Sequence, residues 1–311
     1  MQDQAVRIST HTPVTVAMTT CNGEQYIARQ IESILNQTYA PAGIIVCDDA
    51  STDGTAAILQ EYQQKGGLQL HINDKRLGVV ANFKKAVSLA PAGHYIALAD
   101  QDDEWLPEKL EKSVNLLQSI DTGAGPAMIY TDLILTDRKG ATLNPSFQNE
   151  LGHDRYIHSL ETLVFGNIAL GCTTLFNSAM RSYFGDIPLN KAYNHDTWIT
   201  LIAFSLGQVA FLPEPTVRYR KHQDNVTLGK RTKTSRASRV IMHLQGLLGK
   251  GVYLKEQFIL VRDFLAQYRS ELGDTEREIL EQFLQLENKP HMKKKIAFEK
   301  AFRKKWLKRF A

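Results

Sequence analysis

Four times in about a hundred residues, a short apolar run rich in β-branched side chains gives way to a segment of helical period. Residues 13–18, 43–47, 68–72 and 94–99 have the length and composition of strands. Between the first two, Ile27, Ile31, Ile34 and Leu35 fall on one helical face, and residues 55–64 and 79–89 also read as helices. Such alternation leaves few folds open. It predicts an α/β domain, Rossmann-like, with a mostly parallel sheet, right-handed crossovers and helices on both faces.

Each of these strands ends in polar or acidic residues: Thr19 and Thr20, Asp48 and Asp49, Asn73 and Asp74, Asp100 to Asp102. In a parallel sheet these ends share one edge, which is where open α/β sheets bind ligands. The fourth end is the most acidic, with Asp100, Asp102 and Asp103 and no basic residue among them. Close carboxylates repel one another unless a cation neutralises them. Oxygen ligands of this kind suit Mg²⁺ or Mn²⁺, ions that take further ligands from a substrate's phosphates. The plainer reading is a solvated turn, with Asp102 or Asp103 capping a helix that continues through Leu106 and Pro107.

Past residue 125 the pattern loosens. Residues 127–130 and 171–176 read as strands, 196–206 as an apolar helix, 208–213 and 216–220 as short strands, and the chain from 236 onward as helices. An apolar fraction of 43% and a charged fraction of 23% are ordinary for a soluble globular protein. Cys21, Cys47 and Cys172 are odd in number and widely spaced, which argues for a reducing compartment and against structural zinc. No window offers the ~20 apolar residues that span a bilayer, and the polar start (1–12, expected to be disordered) has no signal-peptide pattern. A cytoplasmic protein is expected. The net charge of +4 conceals an asymmetry: residues 289–311 carry ten Lys/Arg and one Glu, or +9, leaving −5 on the rest.

Other residues carry chemistry on paper. Asp49 can accept from the ring N–H of a pyrimidine, with Thr19 beside it, although an Asx turn and helix cap explain the Asp49-Ala-Ser-Thr-Asp-Gly54 run equally. Asp196 can cap a helix with Trp198 as core. Alternatively, Asp196 suits a general base facing a sugar hydroxyl, because the indole of Trp198 would pack on sugar C–H groups. His222, beside Arg220 and Lys221, is either a surface histidine or a group that reaches a metal or a pyrophosphate. The ending sets apolar and aromatic residues at 292, 296, 298, 302, 306, 307 and 310 against Lys/Arg. That is the composition of a helix lying on an anionic membrane, and it is preferred to nucleic acid because the body lacks a second basic surface.

Read in order, the motifs resemble the family 2 glycosyltransferases of bacterial surface-polysaccharide assembly, which have the glycosyltransferase A fold. The resemblance is densest in Val16-Ala-Met-Thr-Thr-Cys-Asn-Gly-Glu, Asp48-Asp-Ala-Ser-Thr-Asp-Gly and Ala99-Asp-Gln-Asp-Asp-Glu-Trp. Shorter matches follow at Gly171-Cys-Thr, His195-Asp and Tyr219-Arg-Lys-His. Within the family the chain is most similar to the rhamnosyltransferase-like branch.

The resemblance implies nucleotide-sugar contacts from Thr19, Cys21, Asn22, Glu24, Asp49, Arg76, Asp100 and Gln101. It also implies metal ligation by Asp102 with His222, catalysis by Asp196, and acceptor contacts from His195 and Trp198. It implies a catalytic domain over 13–230, divided near 125 into nucleotide and acceptor halves, and a helical region over 231–311. Cys21 stands where an aromatic usually stacks on the base, and Arg76 where Asn is more usual. The implied activity is inverting, Mn²⁺- or Mg²⁺-dependent transfer of a sugar, rhamnose in this branch. The donor would be a UDP- or dTDP-sugar, and the acceptor a lipid-linked glycan at the inner membrane face in O-antigen, capsule or cell-wall assembly. The rivals are a nucleotidyltransferase acting on sugar phosphates, which would want a basic Gly-rich first loop, and a non-catalytic nucleotide-sugar or membrane-binding protein.

Overall fold

The computed structural model describes residues 12–151, 158–189, 193–222 and 254–303. The amino-terminal half runs β1 (Val14–Thr20), α1 (Ile27–Leu35), β2 (Gly43–Asp48), α2 (Thr55–Gln64), β3 (Gln69–Ile72), α3 (Val79–Leu89) and β4 (Tyr95–Ala99). β1 pairs in parallel with β2 on one side and with β4 on the other, and β3 extends the sheet beyond β2. The chain therefore builds outward from β1 in one direction and then crosses back over it. Right-handed crossovers place α1 and α2 on one face and α3 on the opposite face.

The strand residues divide accordingly. Val14, Val16 and Met18 of β1 join Ile27, Ile31, Ile34 and Leu59 in one core, while Ala17 joins Ile45, Cys47, Phe83 and Val87 in the other. Every side chain of β1 is buried, because successive residues point to opposite faces and both faces are covered.

The second half contains β5 (Glu104–Trp105), α4 (Lys109–Ile120), β6 (Ala127–Thr136), β7 (Thr142–Asn144), α5 (Phe147–Leu151), α6 (Leu160–Leu163), β8 (Thr174–Phe176), α7 (Met180–Gly185), α8 (His195–Leu206) and β9 (Gln208–Arg220). The sheet order is β3-β2-β1-β4-β8-β6-β9-β5, with β7 on β6. β8 runs antiparallel to both neighbours, so the sheet changes direction beside β4.

Several expectations shift. Residues 171–173 form a 3-10 turn, leaving only 174–176 as strand. The two short strands expected at 208–213 and 216–220 are one strand, β9, whose pairing with β6 slips around Pro213 and Pro215. Proline cannot donate to the ladder, and the slip absorbs both prolines without ending the strand. The two-residue β5 and the short β7 carry no periodic signal of their own.

Three more helices follow: α9 (Lys255–Tyr268), α10 (Asp274–Leu284) and α11 (His291–Arg303). Residues 236–253 and 304–311, also expected to be helical, and the expected disordered start up to residue 11 lie outside the described residues. Phe258, Val261, Phe264, Tyr268 and Phe283 enter the same core as α3 and α8.

Trp198 sits at the centre of this core. It is 0% exposed, stacked on Tyr193 with centroids 5.6 Å apart and edge-on to Phe264. The acceptor contact expected of Trp198 is therefore wrong: at helical spacing it lies away from the ligand edge, sealed by α9. Trp198→Ala should lower unfolding stability by about 3–5 kcal/mol in denaturant titration; a loss below ~1 kcal/mol would contradict this packing.

Candidate active site

A cleft of about 720 Å³ opens at the carboxyl ends of β1, β2 and β4, closed on the far side by the start of α8 and the end of β9. Of the site residues expected from sequence, all but Trp198 line it: Thr19, Cys21, Asn22, Glu24, Asp49, Arg76, Asp100, Gln101, Asp102, His195, Asp196 and His222. They come from six separate stretches of chain. Only the crossover topology unites them.

The loops after β1 and β2 are laced together. Asp48 accepts from Thr20 Oγ1 (2.7 Å), Ser51 Oγ (2.6 Å) and Ser51 N–H (2.9 Å), so the turn after β2 is closed by Asp48 and not by Asp49, where the Asx turn was expected. Asn22 Oδ1 accepts from Thr52 N–H at 2.8 Å, and Glu24 Oε2 from Gly54 N–H at 2.6 Å. Asn22 and Glu24 thus brace the loop after β2, a role the expectation of nucleotide contact did not include. Gln101 bridges the ends of β4 and β1. Its Oε1 accepts from Cys21 N–H (2.7 Å) and its Nε2 donates to Cys21 O (3.1 Å). Any side chain at Gly23 would strike this amide, since a Cβ there would lie 2.4 Å from Oε1.

Asp49 sits deeper. It accepts from Leu77 N–H (2.7 Å) and Gly78 N–H (2.9 Å), and from Asn73 Nδ2 (3.0 Å), so it fixes the loop that carries Arg76 over the cleft. Burial raises the Cys21 thiol, and the guanidinium of Arg76 opposes that rise.

On the opposite wall lie the acids. Burial, then the charges of Asp102 and Asp196, push Asp100 up to about 7. Asp103 is pushed well above the usual carboxylate range by burial and by Asp102 and Asp100. Neither Asp102 nor Asp103 caps a helix; α4 begins at Lys109, beyond β5. Pairing of β5 with β9 instead draws the end of β9 onto the acidic loop. There Arg220 N–H donates to Asp103 Oδ1 (3.3 Å), Arg220 Nε donates to Asp102 O (3.1 Å), and His222 Nε2 lies 2.7 Å from Asp102 Oδ2. Tyr26 stacks on His222, with centroids 5.2 Å apart.

Asp196 occupies the first turn of α8, where free N–H groups favour a carboxylate. It accepts from Thr197 N–H at 2.7 Å and from the Gly171 N–H, yet burial still raises it to about 6. His195 is packed against Phe83, and neither ring nitrogen has a hydrogen-bond partner. Burial lowers its pKa to about 3, so the ring is neutral. Gly171 is needed here, because a Cβ would come within 2.8 Å of His195 Nε2.

Sequence reading did not single out Tyr26 or Lys109, and it took Cys172 only as a sign of a reducing compartment. Asp103 was visible within the acidic run. Lys109 sits in a Glu-Lys-rich helix start, where nothing distinguishes a buried lysine from a solvated one.

The family model for glycosyl transferase family 2 matches residues 15–183, just over half of the chain. The chain belongs to that family. A Bacillus subtilis (strain 168) glycosyltransferase named for teichuronic acid biosynthesis, TuaG, is 30% identical over 227 residues, covering 70% of this chain and 82% of its own length. The fold is shared with S. aureus TarS, solved with UDP-GlcNAc (TM-score 0.54, 17% identity, 83% of this chain and 73% of that one). It is shared also with the mannosyltransferase PcManGT from Pyrobaculum calidifontis, solved with GDP-Man and Mn²⁺ (TM-score 0.50, 18% identity, 94% and 86%). A family 2 glycosyltransferase of α/β architecture is thus what the sequence motifs had implied.

The raised acids set the sign of a pH effect. Folding favours protonated Asp100, so its contribution is present below the ordinary value of 3.8 and is lost as pH rises through about 7. Asp100→Asn, which mimics the protonated form, should gain over the parent in melting temperature by less at pH 5 than at pH 8 in metal-free buffer. Equal shifts at both pH values by scanning fluorimetry would rule out this charge strain.

Proposed function

We propose that this glycosyltransferase moves a sugar, rhamnose in the branch it resembles, from a nucleoside diphosphate donor to a hydroxyl of a lipid-linked glycan, inverting the anomeric centre. One observation carries the reading: Asp196, held at about 6, faces the Asp100–Asp102 loop across a single cleft. The relative named for teichuronic acid biosynthesis supports surface-polysaccharide assembly. The neighbours solved with UDP-GlcNAc and with GDP-Man support a nucleotide-sugar donor. Those two donors carry different bases, and a UDP- or dTDP-sugar is the donor that the resemblance implies. O-antigen, capsule and cell-wall glycans are the acceptor classes in view.

The residues fit a hard divalent ion. Close carboxylates whose charges raise the pKa of Asp100 and Asp103 form a site a cation would relieve, and their oxygens suit Mn²⁺ or Mg²⁺. Asp102, with His222, would hold the ion. When bound, it would neutralise the charge that grows on the departing diphosphate.

The chain's own residues do the rest. Thr19, Asp49 and Arg76 line the end of the cleft where the nucleotide would lie, and Asn22, Glu24 and Gln101 keep those loops in register. Asp196 is ionised at neutral pH and takes the proton from the acceptor hydroxyl. That oxygen attacks the anomeric carbon opposite the leaving group, and the bond to the diphosphate oxygen breaks. His195, neutral and buried beside Asp196, has a donor and an acceptor nitrogen to offer a sugar hydroxyl. No second nucleophile is needed, so one displacement inverts the centre. The nucleotidyltransferase alternative wants a basic loop after β1, where this chain has Glu24 bound to Gly54 N–H. Asp196→Asn should bind Mn²⁺ and donor normally and lose turnover by roughly 10²–10⁴-fold. Near-full activity in a released-diphosphate assay would dismiss the base.

A place at the inner membrane face, where lipid-linked acceptors reside, is supported by the basic ending and by α11. Phe298 and Phe302 of α11 turn inward onto Phe165, so they do not serve as the expected membrane anchors. Met292 and Ile296, 51% and 58% exposed, share the outward face with Lys293 and Lys300. That face suits anionic lipid. Met292→Ser with Ile296→Ser should cut co-sedimentation with anionic vesicles several-fold while leaving donor hydrolysis intact. Unchanged sedimentation would remove the membrane role from this face.

A further inference from the structure

The ring of Tyr26 joins neither apolar core. It stands half-buried at the start of α1, on the wall of the cleft, and two distant stretches of chain close on it. From the turn between β6 and β7, Arg138 Nε donates to the Tyr26 hydroxyl (3.2 Å) and Arg138 Nη2 to Gln25 Oε1 (3.3 Å). From the end of β9, the Arg220 guanidinium lies over the Tyr26 ring, 5.3 Å from its centroid. Arg220 Nη1 donates to the Arg138 carbonyl (3.2 Å), which completes a circuit of contacts around the phenol. Just past β9, the imidazole of His222 stacks on the same ring, with centroids 5.2 Å apart and planes 24° from parallel.

These contacts matter because of where His222 sits. Lys221 N–H still donates to Thr136 O (2.9 Å), but His222 lies one residue further on, past the pairing of β9 with β6. A ladder fixes the backbone and leaves the side-chain rotamer open. The His222 side chain is nevertheless 5% exposed, with Nε2 2.7 Å from Asp102 Oδ2. Asp102 meets one edge of the imidazole and Tyr26 one face. Stacking restricts the plane of the imidazole, and the guanidinium over the phenol holds the phenol in turn. Both groups packed on Tyr26 also grip the acidic loop: His222 at the Asp102 carboxylate, and Arg220 through Nε to the Asp102 carbonyl (3.1 Å).

We propose that Tyr26 is a positioning residue: its ring sets the plane of His222, so that the imidazole and the Asp102 carboxylate converge on the place that receives a divalent cation and the donor's diphosphate. The hydroxyl, tied to Arg138, keeps the ring from swinging out of the cleft. The inference rests on the metal-dependent reading proposed above and names the residue that sets its geometry. It makes the start of α1, which follows the loop after β1, part of the opposite wall.

The experiment is Mn²⁺ binding to the full chain in the presence of UDP or dTDP, read from the loss of the free-Mn²⁺ paramagnetic resonance signal. Two substitutions divide the side chain. Tyr26→Phe keeps the ring and drops the hydroxyl, whereas Tyr26→Gln drops the ring and keeps a group able to accept from Arg138. Tyr26→Gln should weaken Mn²⁺ by about tenfold, the scale on which partners that orient a metal ligand act. Tyr26→Phe should lose only a small part of that. In a His222→Ala background the Tyr26→Gln change should have no further effect, because no imidazole is left to orient.

A merely structural role for Tyr26 would weaken binding equally in both backgrounds. Equal losses there, no loss in Tyr26→Gln, or a loss in Tyr26→Phe as large as in Tyr26→Gln would overturn the proposal. Should Tyr26→Gln not fold, Tyr26→Leu takes its place. Should His222→Ala bind too weakly to measure, the contrast between Tyr26→Phe and Tyr26→Gln decides by itself. If His222→Ala binds as tightly as wild type, the role of Tyr26 falls while the metal reading stands on Asp102. If wild type binds no Mn²⁺ with either nucleotide, the metal-dependent reading falls and this one with it.

Discussion

Repulsion among buried carboxylates is the constraint around which the ligand edge of this sheet is organised. Asp48, Asp49, Asp100, Asp102, Asp103 and Asp196 all lie near the carboxyl ends of the strands or facing them. Each is offset differently. Asp48 and Asp49 gather backbone N–H groups from the loops they shape, Asp196 uses those of a helix start, and Asp102 meets an imidazole. Asp100 keeps its high proton affinity. The difference matters: acids satisfied by backbone are fixed parts of the scaffold, whereas acids left strained are poised for an added charge.

Scaffold and chemistry are therefore separated within a few residues of sequence. Asp48 and Asp49 are adjacent, yet Asp48 closes a turn while Asp49 reaches across to the loop after β3. Asn22, Glu24 and Gln101 line the cleft but direct their side-chain polar atoms toward neighbouring loops. A cleft floor knitted this way is preorganised, so donor binding need not order these loops first.

The first hundred residues were legible because their signals are local and mutually consistent. Strand length, helical period and polar strand ends all point to the same parallel sheet, and β1–α1–β2–α2–β3–α3–β4 follows with boundaries shifted by a residue or two. For Asp196 and His222 the residues alone left a helix cap and a surface histidine open beside the chemical roles, and only the resemblance chose between them, since nothing in their neighbourhoods shows that α8 and β9 return to the same cleft. Trp198 was misread because an indole two residues from a carboxylate looks the same in sequence whether it faces a sugar or a core. The α9 aromatics that decide the matter lie more than sixty residues away. Lys109 was invisible for a related reason: its burial depends on β5 and on Cys172, neither of which announces itself.

The seating of Trp198 against Phe264 and Tyr268 has a further consequence, for where this protein can be cut. The stretch that defines the family ends at 183, short of α8, β9 and the helices that cover them. A fragment trimmed to that boundary would bare the apolar faces of α3, β4 and β6 and would lack Asp196 besides. Evolutionary module and cooperative folding unit are thus different objects here. Recombining such enzymes at the edge of the shared motif would break a hydrophobic interior, whereas an exchange that carries the later helices along would keep it whole.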